Sequence, residues 1–236
     1  DNGDELPQKA ALLTFDDAYI DHYLYVFPIL DKYKLQGSFY TPVMTVTENK
    51  IMDANKIHYI LASVDEINKI VKDIQTLLLH YQSEYGLKSF DYYFKKLARV
   101  GRFDSKEEIF IKSLFQGELE KEPRGRIADE LFSKYVEIDQ STLSQELYMN
   151  RDQIMTMCRH GMHIGCHGYD HSWWPSLSVQ ELERELDLAL KFLADIGVDM
   201  NNWTACYPNG SYDSQSARIL SEKGCKFAMT IEVDIA

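Results

Sequence analysis

Apolar and polar positions follow two regimes along the chain. Ala11-Leu12-Leu13-Thr14-Phe15 is a short apolar run that stops abruptly at Asp16-Asp17, which predicts a strand buried on both faces of a sheet. Val26, Ile29, Leu30 and Tyr33 then recur at helical spacing, and Gly37 stands where a helix would close with a C′ glycine. Ser38-Phe39-Tyr40-Thr41-Pro42-Val43 predicts a second strand ending at its proline. Strand, helix and strand together have the length of a βαβ unit.

From residue 48 to 146 the period changes. Val64, Ile67, Ile70, Val71, Ile74, Leu77, Leu78 and Tyr81 form a helical stripe. Ser105-Lys106-Glu107-Glu108 predicts a capping box, and Ile127, Leu131, Phe132, Tyr135 and Val136 mark another helix after a break at Pro123-Arg124-Gly125. Tyr92-Tyr93-Phe94 reads as core, and no strand pattern of comparable quality occurs in this stretch. The βα rhythm then returns. A helix over 147–160 stops at Gly161, and Met162–Cys166 is a strand. Ser178 caps a helix that closes at Gly197, and Trp203–Tyr207 is a strand followed by a Pro208-Asn209-Gly210 turn. Asp213 caps a helix ending at Gly224, and Lys226–Ile231 is the last strand. The pattern divides the chain into 1–47, 48–146 and 147–236, an α/β domain carrying a helical insertion.

Composition narrows the class of protein. The 236 residues are 45% hydrophobic and 12% aromatic, enough for a substantial core, and the formal net charge is −12. That charge argues against nucleic acid or an anionic membrane as the main partner. No apolar run approaches the roughly 20 residues needed to span a bilayer. The acidic opening Asp1–Pro7 does not read as a signal peptide, and Cys158, Cys166, Cys206 and Cys225 include no Cys-x-x-Cys pair. Reduced cysteines and a cytoplasmic location are the expectation.

The candidate chemistry lies at strand ends, where α/β folds keep their sites. Two carboxylates at the end of a buried strand are costly unless neutralised, and a metal ion is one remedy. His167 and His171 are four apart, which on a helical turn puts both imidazoles on one face. Two His and one carboxylate leave coordination positions open for water and substrate, a catalytic rather than a closed structural arrangement. The bland alternative is a solvated His pair and an Asp pair that caps the next helix. Pro208-Asn209-Gly210 is either an ordinary turn or a source of backbone N–H groups for an oxyanion. Trp173-Trp174 reads as a sugar-stacking surface or as packing under the loop. Cys166 and Cys206 read as buried thiols rather than ligands.

Together these residues resemble the polysaccharide deacetylases of carbohydrate esterase family 4. Thr14-Phe15-Asp16-Asp17 matches that family's first motif, and the match continues into Pro28-Ile29-Leu30 and Gly37-Ser38-Phe39-Tyr40. His167-Gly168-Tyr169-Asp170-His171, preceded by Gly161–Gly165, matches the second. Cys206-Tyr207-Pro208-Asn209-Gly210 sits where the third, Arg-x-Pro-Tyr-Gly, would fall. The resemblance covers about residues 9–46 and 147–231.

It implies a distorted or incomplete (β/α) barrel with the helical stretch inserted. It also implies a metal-dependent N-deacetylase acting on an acetylated amino sugar of a surface polysaccharide or its precursor. The alternatives are hydrolysis of a small non-sugar amide and a catalytically impaired glycan-binding homologue. By resemblance, Asp17, His167 and His171 bind a divalent metal, zinc foremost, with cobalt or nickel as alternatives. Asp16 is the general base, and the Asn209 N–H helps to hold the oxyanion. Tyr207, Trp173 and Trp174 are the candidate substrate contacts. Two departures stand out. Cys206 replaces the Arg that pairs with the base, and no histidine follows His171 to serve as the late general acid. His22, His163 and His58 are the remaining candidates, with His163 where the family often has Glu.

Overall fold

The structure, a computed structural model, describes residues 9–232, so the acidic opening Asp1–Pro7 lies outside the described residues. In chain order the elements begin with β1 (Thr14–Asp16), a π-helical turn (His22–Val26), α1 (Phe27–Tyr33), β2 (Ser38–Thr41) and α2 (Val43–Thr47). There follow α3 (Asp53–Ala62), α4 (Ile67–Tyr85), α5 (Phe90–Leu97), α6 (Lys106–Ser113), α7 (Lys121–Tyr135), α8 (Gln140–Leu147) and α9 (Arg151–Arg159). The chain closes with β3 (His163–Cys166), α10 (Val179–Asp195), β4 (Ala205–Cys206), α11 (Ser214–Glu222) and β5 (Ala228–Met229). Two compact units result, one from the residues up to Lys50 and from Ser141 onward, the other Ile51–Gln140.

The first unit is an incomplete (β/α) barrel. All five strands are parallel and lie in sequence order, β1 to β5. Phe15, Phe39 and Ile164 stand in register across three strands, and period-two alternation turns them to one face. There they join a core with Trp174, Leu186 and Trp203. Asp16, Tyr40 and Gly165 share the next register position on the opposite face. Gly165 is there for want of space, because a Cβ would come within 2.4 Å of the Tyr40 ring. On the same inner face, Tyr40 Oη and His163 Nε2 both bond to Thr204 Oγ1, at 3.1 and 2.7 Å.

Burial pushes His163 below the ordinary histidine range, so it stays neutral when folded. The unfolded chain therefore takes up this proton first. The associated stability is complete above the ordinary value of about 6.5 and is lost as the pH falls below it. His163→Gln is accordingly expected to flatten the acid limb of stability between about pH 7 and pH 5, measured by urea unfolding.

Several sequence expectations change here. β1 is an edge strand, and Leu12 and Leu13 precede it and are exposed, so the expected double-sided burial is absent. The left-handed cap of α1 is Lys34 (φ +56°), not Gly37; a Cβ at Gly37 would meet Leu30 at 2.7 Å. The helix expected over 147–160 is interrupted before α9, where Asn150 opens a new capping box with Gln153.

In the second unit, Ser105 and Glu108 form the expected capping box, and Ile70, Ile74 and Leu78 bury the stripe of α4. Pro123 does not break the chain. It sits in the first turn of α7, where its missing N–H would have had no helical partner. Tyr93 is buried as expected, whereas Tyr92 is exposed. Among the described residues no helix is long and apolar enough to cross a membrane.

Candidate metal centre

The site forms at the carboxyl ends of β1, β3 and β4. β1 ends at Asp16, and the Asp17 N–H donates to Tyr40 O at 3.1 Å. Asp17 (φ +74°) and Ala18 (φ +58°) then both adopt left-handed backbone. An aspartate tolerates that region better than most residues, while an alanine there costs about 1 kcal/mol. Ala18 is held in place by burial and by a bond from Met149 N–H to its carbonyl, 2.8 Å. His171 (φ +62°) and Asn209 (φ +56°) are left-handed too. Strain therefore gathers on residues singled out by the motifs, as it does at functional sites.

His167 and His171 do meet, with ring centroids 4.8 Å apart, but no helical turn carries them. Residues 167–171 form a loop that Gly168 (φ +78°) and His171 bend back. His167 Nδ1 lies 2.7 Å from Cys206 O. Nδ1–H donates to that carbonyl, which fixes the tautomer and leaves the Nε2 lone pair free. Asp17 Oδ1 lies 3.6 Å from His167 Nε2 and 3.4 Å from His171 Nε2. Two donors about 2.0–2.1 Å from one ion at tetrahedral angles stand about 3.4 Å apart, so these three atoms fit a zinc-sized ion. Asp17 Oδ1 is moreover buried without a hydrogen bond, which an ion would remedy. The Asp17, His167, His171 group is the metal-capable cluster found among the described residues. Burial pushes the Asp17 carboxyl up, but the two imidazoles outweigh it and the net direction is down. Burial likewise opposes the charge on His167, yet Asp17 and Asp16 hold its pKa above the ordinary value.

Asp16 is exposed beside this cluster and faces a different partner. Cys206 Sγ donates to Asp16 Oδ2 at 3.4 Å, from the position where the family motif has Arg. Burial and the two carboxylates push the Cys206 thiol up, so it stays a neutral donor. Cys166 is fully buried, its thiol is pushed up to about 12, and its sulfur is not among the clustered ligand atoms of Asp17, His167 and His171. Asn209 lies on the turn that follows β4 and Cys206.

Of the candidates for the late acid within the first unit, neither His163 nor His22 stands beside His167. His163 opens β3, at the opposite end from His167. His22 packs against Phe15 and Phe39, the sheet face opposite Asp16, and burial keeps it neutral.

Two substrate contacts need correction. Trp174 is wholly buried, and Tyr207 is 6% exposed. Tyr207 is wedged between the edge of Trp174, 5.4 Å between centroids, and the face of Tyr212, 5.0 Å. Neither ring offers a face for a sugar, because both fill the space under the loop. Trp173 is half-buried and remains available, and Tyr212 is the exposed aromatic of this group. Trp174→Phe is expected to lower unfolding free energy by about 1–3 kcal/mol while leaving glycan affinity unchanged, measured by denaturation and calorimetry.

Sequence reading missed Glu185. It lies in the apolar stripe of α10 between Leu182 and Leu186 and is 5% exposed. A carboxylate at a core position of an amphipathic helix was the available signal.

The profile described as polysaccharide deacetylase matches residues 133–228, which hold both histidines and the third motif, and bears out the resemblance read from the motifs. Among solved structures, a Streptococcus pyogenes deacetylase, PplD, in complex with acetate is similar at TM-score 0.53 and 15% identity, covering 100% of this chain and 62% of that one. IcaB from Ammonifex degensii aligns at TM-score 0.49 and 16% identity, over 96% of this chain and 61% of that one. The BpsB deacetylase domain from Bordetella bronchiseptica aligns at 0.49 and 12%, over 97% and 66%. The chain thus spans less than two thirds of the length of each. The likeness to the first shows the (β/α) barrel fold of these deacetylases. No match is found among curated proteins.

Proposed function

We propose that the chain is a metal-dependent N-deacetylase that hydrolyses the N-acetyl group of an amino sugar in a surface polysaccharide or its precursor. The observation that carries this reading is the convergence of Asp17 Oδ1, His167 Nε2 and His171 Nε2 beside a second carboxylate, Asp16. Asp17, His167 and His171 hold a divalent ion, with zinc the best match to one carboxylate and two imidazoles. When bound, the ion supplies Lewis acidity, polarising the amide carbonyl and making water easier to deprotonate. Asp16, in contact with solvent, takes the proton from the attacking water. Cys206 holds the Asp16 carboxylate by its other oxygen without neutralising it. The Asn209 N–H donates to the oxygen that gains charge. The proton that Asp16 takes from water can be returned by the same carboxyl group to the leaving amine. Half-buried Trp173 and exposed Tyr212 are the aromatic surfaces for the sugar.

The test is acetate release from N-acetylglucosamine oligomers. Release should stop with chelator and return with zinc. The thiol in place of the motif Arg favours a second reading, glycan binding without turnover. In that case no acetate appears, and glycan affinity survives Asp16→Asn.

A further inference from the structure

We infer that Glu185 is a positioning residue that sets the geometry of the metal-ligand loop. The inference rests on the proposed metal centre. Residues 168–170 connect the two histidine ligands, and their backbone groups are claimed from two sides. From α10, Glu185 Oε1 accepts the N–H groups of Tyr169 and Asp170, both at 2.7 Å. From the other side, the N–H groups of Val43 and Met44 at the start of α2 donate to the carbonyls of Gly168 and Tyr169, at 3.3 and 2.7 Å. Asp170 in turn closes the loop on Ser172, accepting from its N–H at 3.0 Å and its hydroxyl at 2.5 Å.

Of these contacts, the one to Glu185 is the costly one. A carboxylate replaces an apolar side chain in the buried stripe of α10. Burying it is unfavourable unless its partners are fixed, and here its partners include the two amides between His167 and His171. The loop is also shaped to admit it. A Cβ at residue 168 would stand 3.0 Å from Glu185 Oε1 and 3.2 Å from Trp174 Nε1, and the φ of +78° already favours glycine. The wholly buried Trp174, found not to face a sugar, thus forms the wall behind the same loop. Glu185 touches neither ion nor substrate. It fixes where the two imidazoles stand before the metal arrives.

The test is metal affinity of the full chain, read by competition titration with zinc and by the visible spectrum of the cobalt form. Losing an outer contact that orients the ligands typically costs 10–100-fold in affinity, and Glu185→Ala is expected to fall in that range. Glu185→Gln keeps an acceptor oxygen and is expected to stay within about threefold of wild type. A general loss of stability would lower the melting temperature of both variants without separating their affinities. A folded Glu185→Ala protein with wild-type affinity, or a Gln variant as weak as the Ala variant, overturns the inference. Should Glu185→Ala fail to fold, hydrogen exchange on the metal-free wild type decides. The Tyr169 and Asp170 amides should exchange at least about tenfold more slowly than exposed loop amides, and unprotected amides overturn the inference. Neither readout uses acetate release. A wild type that binds no metal refutes the proposed centre itself, whereas a wild type that binds metal but releases no acetate refutes the deacetylase reading alone.

Discussion

His167→Ala is expected to reduce acetate release to background and to weaken zinc binding by more than about 100-fold, because loss of a ligand exceeds the 10–100-fold cost of losing a ligand's partner. Three consequences of the substitution coincide. It removes one of the two imidazoles beside Asp17 Oδ1, leaving that buried oxygen with His171 alone. It takes away the hydrogen-bond partner of Cys206 O and so loosens the end of β4 that carries the Asn209 turn. It also opens a void where a buried side chain had been. His167→Gln separates these effects, since it fills much of the space and offers a weaker donor set. Isothermal titration and acetate assay on both variants check the expectation. Zinc affinity close to wild type in a folded His167→Ala protein would place the metal elsewhere.

Asp16→Asn is expected to act on the other side of the same division of labour. General-base catalysis contributes about 10²–10⁴-fold, and kcat should fall by that range. Asp16 faces Cys206 rather than the histidines, so zinc affinity should stay within about threefold. The amide has the shape of the carboxylate and keeps an acceptor for the Cys206 thiol, so stability should change little. Paired measurements of kcat and zinc Kd check this. A kcat unaffected by the substitution would mean that water is activated without Asp16. Equal losses in kcat and metal affinity would mean that both aspartates serve the ion.

Local rules were the most legible part of the fold. Ser105, Ser178 and Asp213 each announced a helix start, and each caps with its own side chain in the structure. The βα rhythm and the helical stretch could be read because periods of two and of 3.6 differ over a dozen residues. Tertiary circumstances were not legible. Leu12 and Leu13 look like a buried strand, and only the strand order reveals that β1 is an edge. Pro123 looks like a break because the proline ring forbids helix interiors, yet Glu120 opens the helix early enough to place it in the first turn.

At the site, residue types outran geometry. Asp17, His167 and His171 were evident as a donor set, but the four-residue spacing suggested a helix where the chain builds a left-handed loop. Trp174 and Tyr207 had the right chemistry for sugars and the wrong exposure, which composition does not encode. Glu185 left a trace, a carboxylate in an apolar stripe, but its partners are backbone amides and have no sequence signature.

The most direct measurement is a titration of the metal-free protein with zinc while acetate released from N-acetylglucosamine oligomers is followed. Among the described residues the three converging donors are one metal-capable group, so the rate is expected to climb linearly and level off at one equivalent in the wild type. It should stay at background throughout in Asp17→Ala. Release that is independent of zinc, or that survives Asp17→Ala at full rate, would contradict a deacetylase centre built on Asp17, His167 and His171.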